Sequence, residues 1–176
     1  MSVRGPDWKP KLSDPEVQAY LFEEVGEEAL EMARYMEENN PISGVDIVEH
    51  FEDRKPSDVR KVLYRLMEAH AAEYEKETDS SGWETFIWNL DLPEIGLILR
   101  RRWADELASL RKQIQFEQDH EFYACPQLHR RIIFEDAMDI GFQCPVCQEP
   151  MAPVDNGDII AKMQERVDEL APAFQD

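Results

Sequence analysis

The chain has 176 residues, 43% of them hydrophobic and 32% charged, which leaves room for one ordinary domain plus a small one and excludes a large enzyme core. No apolar run approaches the ~18 residues that a membrane span needs, and Met1 to Pro10 lack the apolar core of a secretory signal, so the expected compartment is the cytoplasm. The 38 acidic and 19 basic residues give a net charge of −19 spread along the chain, a pattern suited to a salt-rich, halophilic interior and ill suited to gripping duplex DNA by charge alone.

Residues 1–13 carry little apolar periodicity and are expected to form a flexible arm. Ser13-Asp14-Pro15 then supplies a cap followed by proline in a first helical turn, opening a helix that buries Val17, Tyr20, Leu21 and Val25. Gly26 interrupts it, and a second helix is expected over 27–38, with Leu30, Ala33 and Met36 on one face and Asn39-Asn40-Pro41 as its stop. A short helix over 43–51 sets Ile47 and Phe51 four apart. After a turn through Asp53, Arg54 and Lys55, Pro56 opens a third stretch in which Val59, Val62, Leu63, Leu66 and Met67 recur at helical spacing while Arg60, Lys61 and Arg65 face away.

Residues 71–77 and 83–90 are β-prone runs separated by the turn-rich Thr78-Asp79-Ser80-Ser81-Gly82, which predicts a hairpin. Its alternation places Phe86 and Trp88 on one face, toward the core, and leaves Trp83 beside the turn. Helices followed by a β-wing are the order of a winged helix-turn-helix domain, assigned to 14–91. Over 92–119 Pro93 opens a long helix whose Ile95, Leu99, Trp103, Leu107, Leu110 and Ile114 step by fours and threes, about 37 Å of it at helical rise. It reads as a connector helix laying its stripe on the winged helix, with a short coiled coil between copies as the alternative. Over 153–176 a C-terminal amphipathic helix and tail are expected, with Ile159, Met163, Val167 and Leu170 in a stripe that packs on its own protein. The fold class is therefore α+β.

All three cysteines fall between positions 125 and 147. Cys144-Pro145-Val146-Cys147 is a two-residue-gap pair of the kind that turns two thiolates toward one ion, and Cys125-Pro126-Gln127-Leu128-His129 supplies the other half. Two tight turns held apart by β-prone Arg131 to Phe134 and Gly141 to Gln143 predict a zinc ribbon over 120–152 with one structural zinc ion. An odd cysteine count without an export signal argues against disulfides. The expected ligands are Cys125, His129, Cys144 and Cys147, with His120 as the fallback for the fourth position. A catalytic zinc finds no support: neither His120, followed directly by Glu121, nor His129, with Arg131 two positions on, gives the histidine-x-glutamate that zinc deaminases place before their proline-cysteine pair, and a nucleophile triad, a Walker loop and a dinucleotide glycine motif are missing.

These pieces, in this order, resemble the archaeal general transcription factor E, the counterpart of the α subunit of eukaryotic TFIIE. The matching stretches are Asp58-Val-Arg-Lys-Val-Leu-Tyr-Arg-Leu66, Gly82-Trp-Glu-Thr-Phe-Ile-Trp-Asn-Leu90, Phe122-Tyr-Ala-Cys-Pro126, Phe134-Glu-Asp-Ala-Met138 and Gly141-Phe-Gln-Cys-Pro-Val-Cys147, within residues 15–151. The resemblance implies a non-catalytic factor that joins RNA polymerase beside TATA-binding protein and transcription factor B and favours promoter opening. It places the winged helix on the polymerase clamp, touching the non-template DNA strand weakly, and the ribbon toward clamp and stalk, and it leaves room for a β-subunit partner. Two departures stand out: the first ribbon knuckle is Cys-x-x-x-His where the family usually has Cys-x-x-Cys, and Gln148 stands where a glycine commonly follows the last cysteine and would ease a positive backbone angle.

Charge agrees with such a role. Residues 1–92 hold 22 acidic and 10 basic side chains, net −12, yet Arg54, Lys55, Arg60, Lys61 and Arg65 stand against Asp58 alone. These five and Trp83, which can stack on unpaired bases, are the candidate contacts to polymerase or DNA. The competing expectation is a sequence-specific winged-helix regulator with a structural zinc module, which asks for a more basic recognition helix.

Overall fold

In a computed structural model, which describes residues 7–174, the chain divides into two compact units, Asp7–Arg102 and the part from Trp103 onward. The first six residues of the expected arm lie outside the described residues. Over 7–13 the chain is tied down: Asp14 Oδ2 accepts hydrogen bonds from Trp8 Nε1 at 2.8 Å and from the Lys11 amide at 2.9 Å, and Leu12 is buried.

In the first unit, α1 (Pro15–Glu24) and α2 (Ala29–Glu38) form where sequence periodicity places helices. They bury Val17, Leu21, Met32 and Met36 with Ile47, Leu63, Leu66 and Ile95. α3 (Gly44–His50) starts at Ser43, whose hydroxyl accepts from the amides of Val45 and Asp46, an N-cap that satisfies two orphan donors. α4 (Pro56–Glu68) begins on proline and turns Val59, Val62, Leu63 and Leu66 inward. Tyr20 locks α1 to the end of α4 by donating its hydroxyl to the Ala69 carbonyl at 2.6 Å.

The sheet of this unit is antiparallel with strand order β1-β3-β2, where β1 is Ile42–Ser43, β2 Ala72–Thr78 and β3 Glu84–Leu90. β1 carries too few residues to show a period in sequence. Tyr74 faces Trp88 and Lys76 faces Phe86 across the hairpin, so Tyr74, Phe86 and Trp88 share one face. That face is covered only at its base: Trp88 is 4% exposed, whereas Phe86 is 42% exposed because the hairpin runs on past the helices. The expectation that both sit in the core therefore holds for Trp88 alone.

α5 (Leu92–Asp119) buries Ile95 and Leu99 in the first unit and Trp103, Leu107 and Ile114 in the second. Its stripe is thus not devoted to the N-terminal domain along its length. In the second unit α7 (Gly157–Leu170) runs antiparallel to it: Asn156, just before α7, donates to the Glu117 carbonyl, while Arg166 pairs with Glu106 at 2.8 Å. The amphipathic stripe of α7 buries Val167 and Leu170. A second antiparallel sheet has the order β5-β4-β6, with β4 Phe122–Ala124, β5 Arg131–Ile133 and β6 Ala152–Val154. Phe134 begins a short helix, α6 (Phe134–Asp139), instead of ending a strand, and Gln143 makes only an isolated bridge to Pro150. Among the described residues no helix is long and apolar enough to cross a membrane.

Candidate metal centre and interaction surface

Two knuckles bring four ligand atoms together. In the first, the Leu128 amide donates to the Cys125 carbonyl at 2.8 Å, the Gln127 amide points at Cys125 Sγ at 3.4 Å, and the Cys125 amide closes the loop on the Arg130 carbonyl. In the second, the Gln148 amide donates to the Cys144 carbonyl at 2.7 Å and the Cys144 amide to the Glu149 carbonyl at 2.9 Å. Leu128 and Gln148 each turn through the left-handed region, at φ 56° and 64°. The positive angle expected at Gln148 is therefore present, on a residue whose Cβ opposes it.

Cys125 Sγ lies 3.4 Å from Cys147 Sγ and 3.7 Å from His129 Nδ1, and Cys144 Sγ lies 3.9 Å from the same nitrogen. All four ligand atoms fall within 4.8 Å of one another. A tetrahedral ion with metal–sulfur bonds of about 2.3 Å has ligand–ligand edges of about 3.8 Å, so the donor set is of the right size for one such cation. Cys125, Cys144 and Met151 form a buried cluster packed against Tyr123 and Ile132, which anchors the thiols on the inner side while His129 closes the site from solvent. His120 is elsewhere: its Nδ1 is 2.8 Å from the Phe116 carbonyl and its ring lies on Phe116.

Electrostatics at the thiols favour a cation. The amides of Cys147 and Val146 pull the Cys144 thiol down to about 6, against burial. The Glu149 amide pulls on Cys147 in the same direction, but burial and the neighbouring sulfurs of Cys125 and Cys144 win and push it up to about 11. Three sulfurs this close cannot all ionise unless positive charge sits among them.

The contacts that tie down the chain on either side of the first knuckle leave no mark in local sequence. Arg131 forks onto Glu117 and its guanidinium lies 3.6 Å over the Phe122 ring, while Asn156 Nδ2 donates to Glu117 Oε2 at 3.0 Å. These residues join the end of α5, β5 and the approach to α7 around the first knuckle. Their separations in sequence follow no motif, and only the fold brings them together.

The other expected contact residues all lie in the first unit. Arg54 pairs with Glu31 and covers the Phe51 ring, and Lys61 pairs with Asp58 at 3.0 Å. Lys55, Arg60 and Arg65 are exposed, with no ion pair or hydrogen bond from their side chains among the described residues. Trp83 is 70% exposed at the hairpin turn. Asp79 Oδ1 fixes that turn, accepting from the Ser81 amide at 2.8 Å, the Ser81 hydroxyl at 2.6 Å and the Trp83 amide at 2.9 Å, and Gly82 supplies the left-handed residue at φ 87°.

Comparison with known proteins fixes the lineage. The model of the family described as TFIIE alpha subunit matches residues 16–119. The chain belongs to the TFIIE alpha-subunit family. Transcription factor E of Methanosarcina mazei is 34% identical over 163 residues, covering 92% of this chain and 98% of that protein. Transcription factor E of Methanococcus maripaludis is 30% identical over 166 residues, 93% and 94% of the two chains, and that of Haloquadratum walsbyi 32% identical over 160 residues, 90% of each. The TFIIE alpha-subunit match ends before Cys125, whereas these alignments are long enough to extend into the metal-site half. As a member of the TFIIE alpha-subunit family, the chain is a general transcription factor and not an enzyme.

Proposed function

We propose that the chain is a basal initiation factor that binds archaeal RNA polymerase in the preinitiation complex, beside TATA-binding protein and transcription factor B, and stabilises promoter opening. The observation that carries the proposal is similarity to transcription factor E along nearly the whole chain. In this reading residues 14–91 are a winged helix-turn-helix that meets the polymerase clamp through some of Arg54, Lys55, Arg60, Lys61 and Arg65, with Trp83 touching the non-template strand. Residues 92–119 are the connector, and residues 120–152 are a ribbon held by zinc on Cys125, His129, Cys144 and Cys147. Zinc suits a site of three thiols and one imidazole, and its contribution is to hold the two knuckles together.

The factor makes and breaks no bond. It acts by binding the open-clamp, open-DNA state more tightly than the closed one, which shifts the population by the difference in affinity. An acidic surface suits this task, because contacts confined to a few cations add affinity for polymerase without clamping duplex DNA in its closed form. The test is open-complex formation by purified polymerase, TATA-binding protein and transcription factor B on a promoter with 2-aminopurine in the melted segment. Adding the chain should raise the fluorescence amplitude; an unchanged amplitude at saturating factor overturns the proposal.

A further inference from the structure

The groove between α3, α4 and β3 differs from the rest of this acidic surface. It encloses a cavity of about 210 Å³ lined by Gly44, Arg60, Tyr64, Trp83, Phe86 and Trp88, among others. Trp88 is buried there, and a Cβ on Gly44 would stand 3.0 Å from its Nε1, so glycine is what allows the start of α3 to close on the indole. Tyr64 meets Trp88 edge to face at 6.0 Å. On their outer side Tyr64, Phe86 and Trp83 remain open to solvent. Aromatic groups held rigidly on one side and bare on the other are the usual anchors of protein recognition.

Charge selects the occupant. Arg60 has no ionic or hydrogen-bonding partner among the described residues. Glu84, the one carboxylate of the lining, is already held by Lys76 at 2.6 Å. The groove therefore offers aromatic surface and one uncommitted positive charge. Small-molecule sites start at about 300 Å³, so the cavity suits one bulky side chain or one base and not a metabolite. A nucleic-acid strand leaving the cavity would carry its phosphates onto a segment, residues 1–92, of net charge −12. A peptide has no such obligation beyond the cavity.

The structure assigns this groove to a segment of a protein partner that inserts one bulky apolar side chain among Tyr64, Phe86 and Trp88 and presents a carboxylate, one or two residues away, to Arg60. The inference rests on the polymerase-binding reading above, so the expected bearer of that segment is RNA polymerase.

The test places photoreactive benzoylphenylalanine at position 86, and in a second variant at the exposed position 83, in the full chain. Each variant is mixed with purified archaeal polymerase, TATA-binding protein, transcription factor B and promoter DNA. A pull-down in the dark comes first, and failure to retain polymerase there removes the functional reading itself. With binding established, irradiation should link position 86 to a polymerase peptide carrying an apolar residue beside Asp or Glu, while position 83, at the rim next to the non-template strand, should link to DNA as well. Arg60→Glu, an exposed change checked for folding by circular dichroism, should lower the yield about tenfold, while Arg60→Lys retains most of it. Linkage to DNA alone, no polypeptide product at either position, a linked peptide without a carboxylate, or a yield indifferent to Arg60→Glu overturns the assignment.

Discussion

Arg131 and Glu117 form a two-bond fork, Nη1 to Oε1 at 2.9 Å and Nη2 to Oε2 at 2.6 Å, that binds the strand after the first knuckle to the last turns of α5. Only 12% of the Glu117 side chain reaches solvent, and Asn156 uses the same carboxylate. Geometry of this kind separates the pair from ordinary surface ion pairs.

Glu117→Ala is expected to destabilise the second unit by about 2 kcal/mol, because it leaves the Arg131 guanidinium without its acceptor and reduces the Asn156 amide to its bond with the backbone carbonyl of residue 117. The pair also sets an acid limb. The Arg131 hydrogen bonds, opposed by burial and aided by Asn156, hold the Glu117 carboxyl below the ordinary carboxylate range. A lowered folded value means that this stabilisation is complete above about pH 4.3 and is lost as pH falls through the folded value. Urea unfolding of wild type and Glu117→Gln between pH 7 and pH 3 should show a shallower acid limb in the variant. Equal slopes would show that the fork does not contribute.

Gln148→Gly should stabilise the second knuckle by about 0.5 to 1 kcal/mol, since glycine adopts a positive φ without the Cβ clash while giving back part of the gain in chain entropy. The gain should appear as slower loss of bound metal to a chelator. Gln148→Val, with a branched Cβ at the same φ of 64°, should speed that loss. No change in either direction would show that the knuckle relaxes without cost.

The metal ligands should differ in consequence. Cys144→Ser removes a fully buried thiol that two amides already serve, and stoichiometric metal should be lost. His129→Ala opens the solvent side only, and the chain should keep metal with weaker affinity. Each ligand must shed its proton before binding, so metal content measured by atomic emission should fall as pH is lowered. In every case amide exchange in Asp7–Arg102 should stay unchanged, because none of the ligands belongs to that unit. Metal affinity in His129→Ala equal to that of wild type, measured by competition with a chelator, would remove it from the ligand set.

How much of this was legible in the sequence depended on whether the determinant was local. α1, α2 and α4 follow from apolar period together with Pro15, Gly26 and Pro56, and the β2–β3 hairpin from Asp79 and Gly82 in its turn. β6 was hidden because Ala152-Pro153-Val154 has no alternation of its own and becomes a strand only by pairing with Phe122 to Ala124. α6 was hidden because only Ala137 of its residues is buried, too little to print a helical stripe. Cysteine spacing pointed to the cluster but not to its geometry. What separates His129 from His120 is the Phe116 carbonyl that engages the latter. Glu117 and Asn156 gave no signal, since their roles arise from contacts 14 and 39 positions apart.

The hairpin turn gives the last test. Asp79 holds Trp83 in place by accepting three hydrogen bonds on one oxygen, and the Ser81 hydroxyl first, then the Trp83 amide, keep its carboxyl below the ordinary range. A lowered folded value again means that the contribution is present above about pH 3.9 and vanishes as pH falls through the folded value. Asp79→Ala should therefore raise amide exchange at Ser81 and Trp83 several-fold at neutral pH, and the wild-type protein should approach the same exchange pattern on acidification. Because Trp83 has little packing to hold it once the turn loosens, any contact it makes with promoter DNA should weaken in the same variant. If crosslinking from position 83 to DNA proves as strong in Asp79→Ala as in wild type, the turn does not aim the indole, and the exposed tryptophan acts without a fixed orientation.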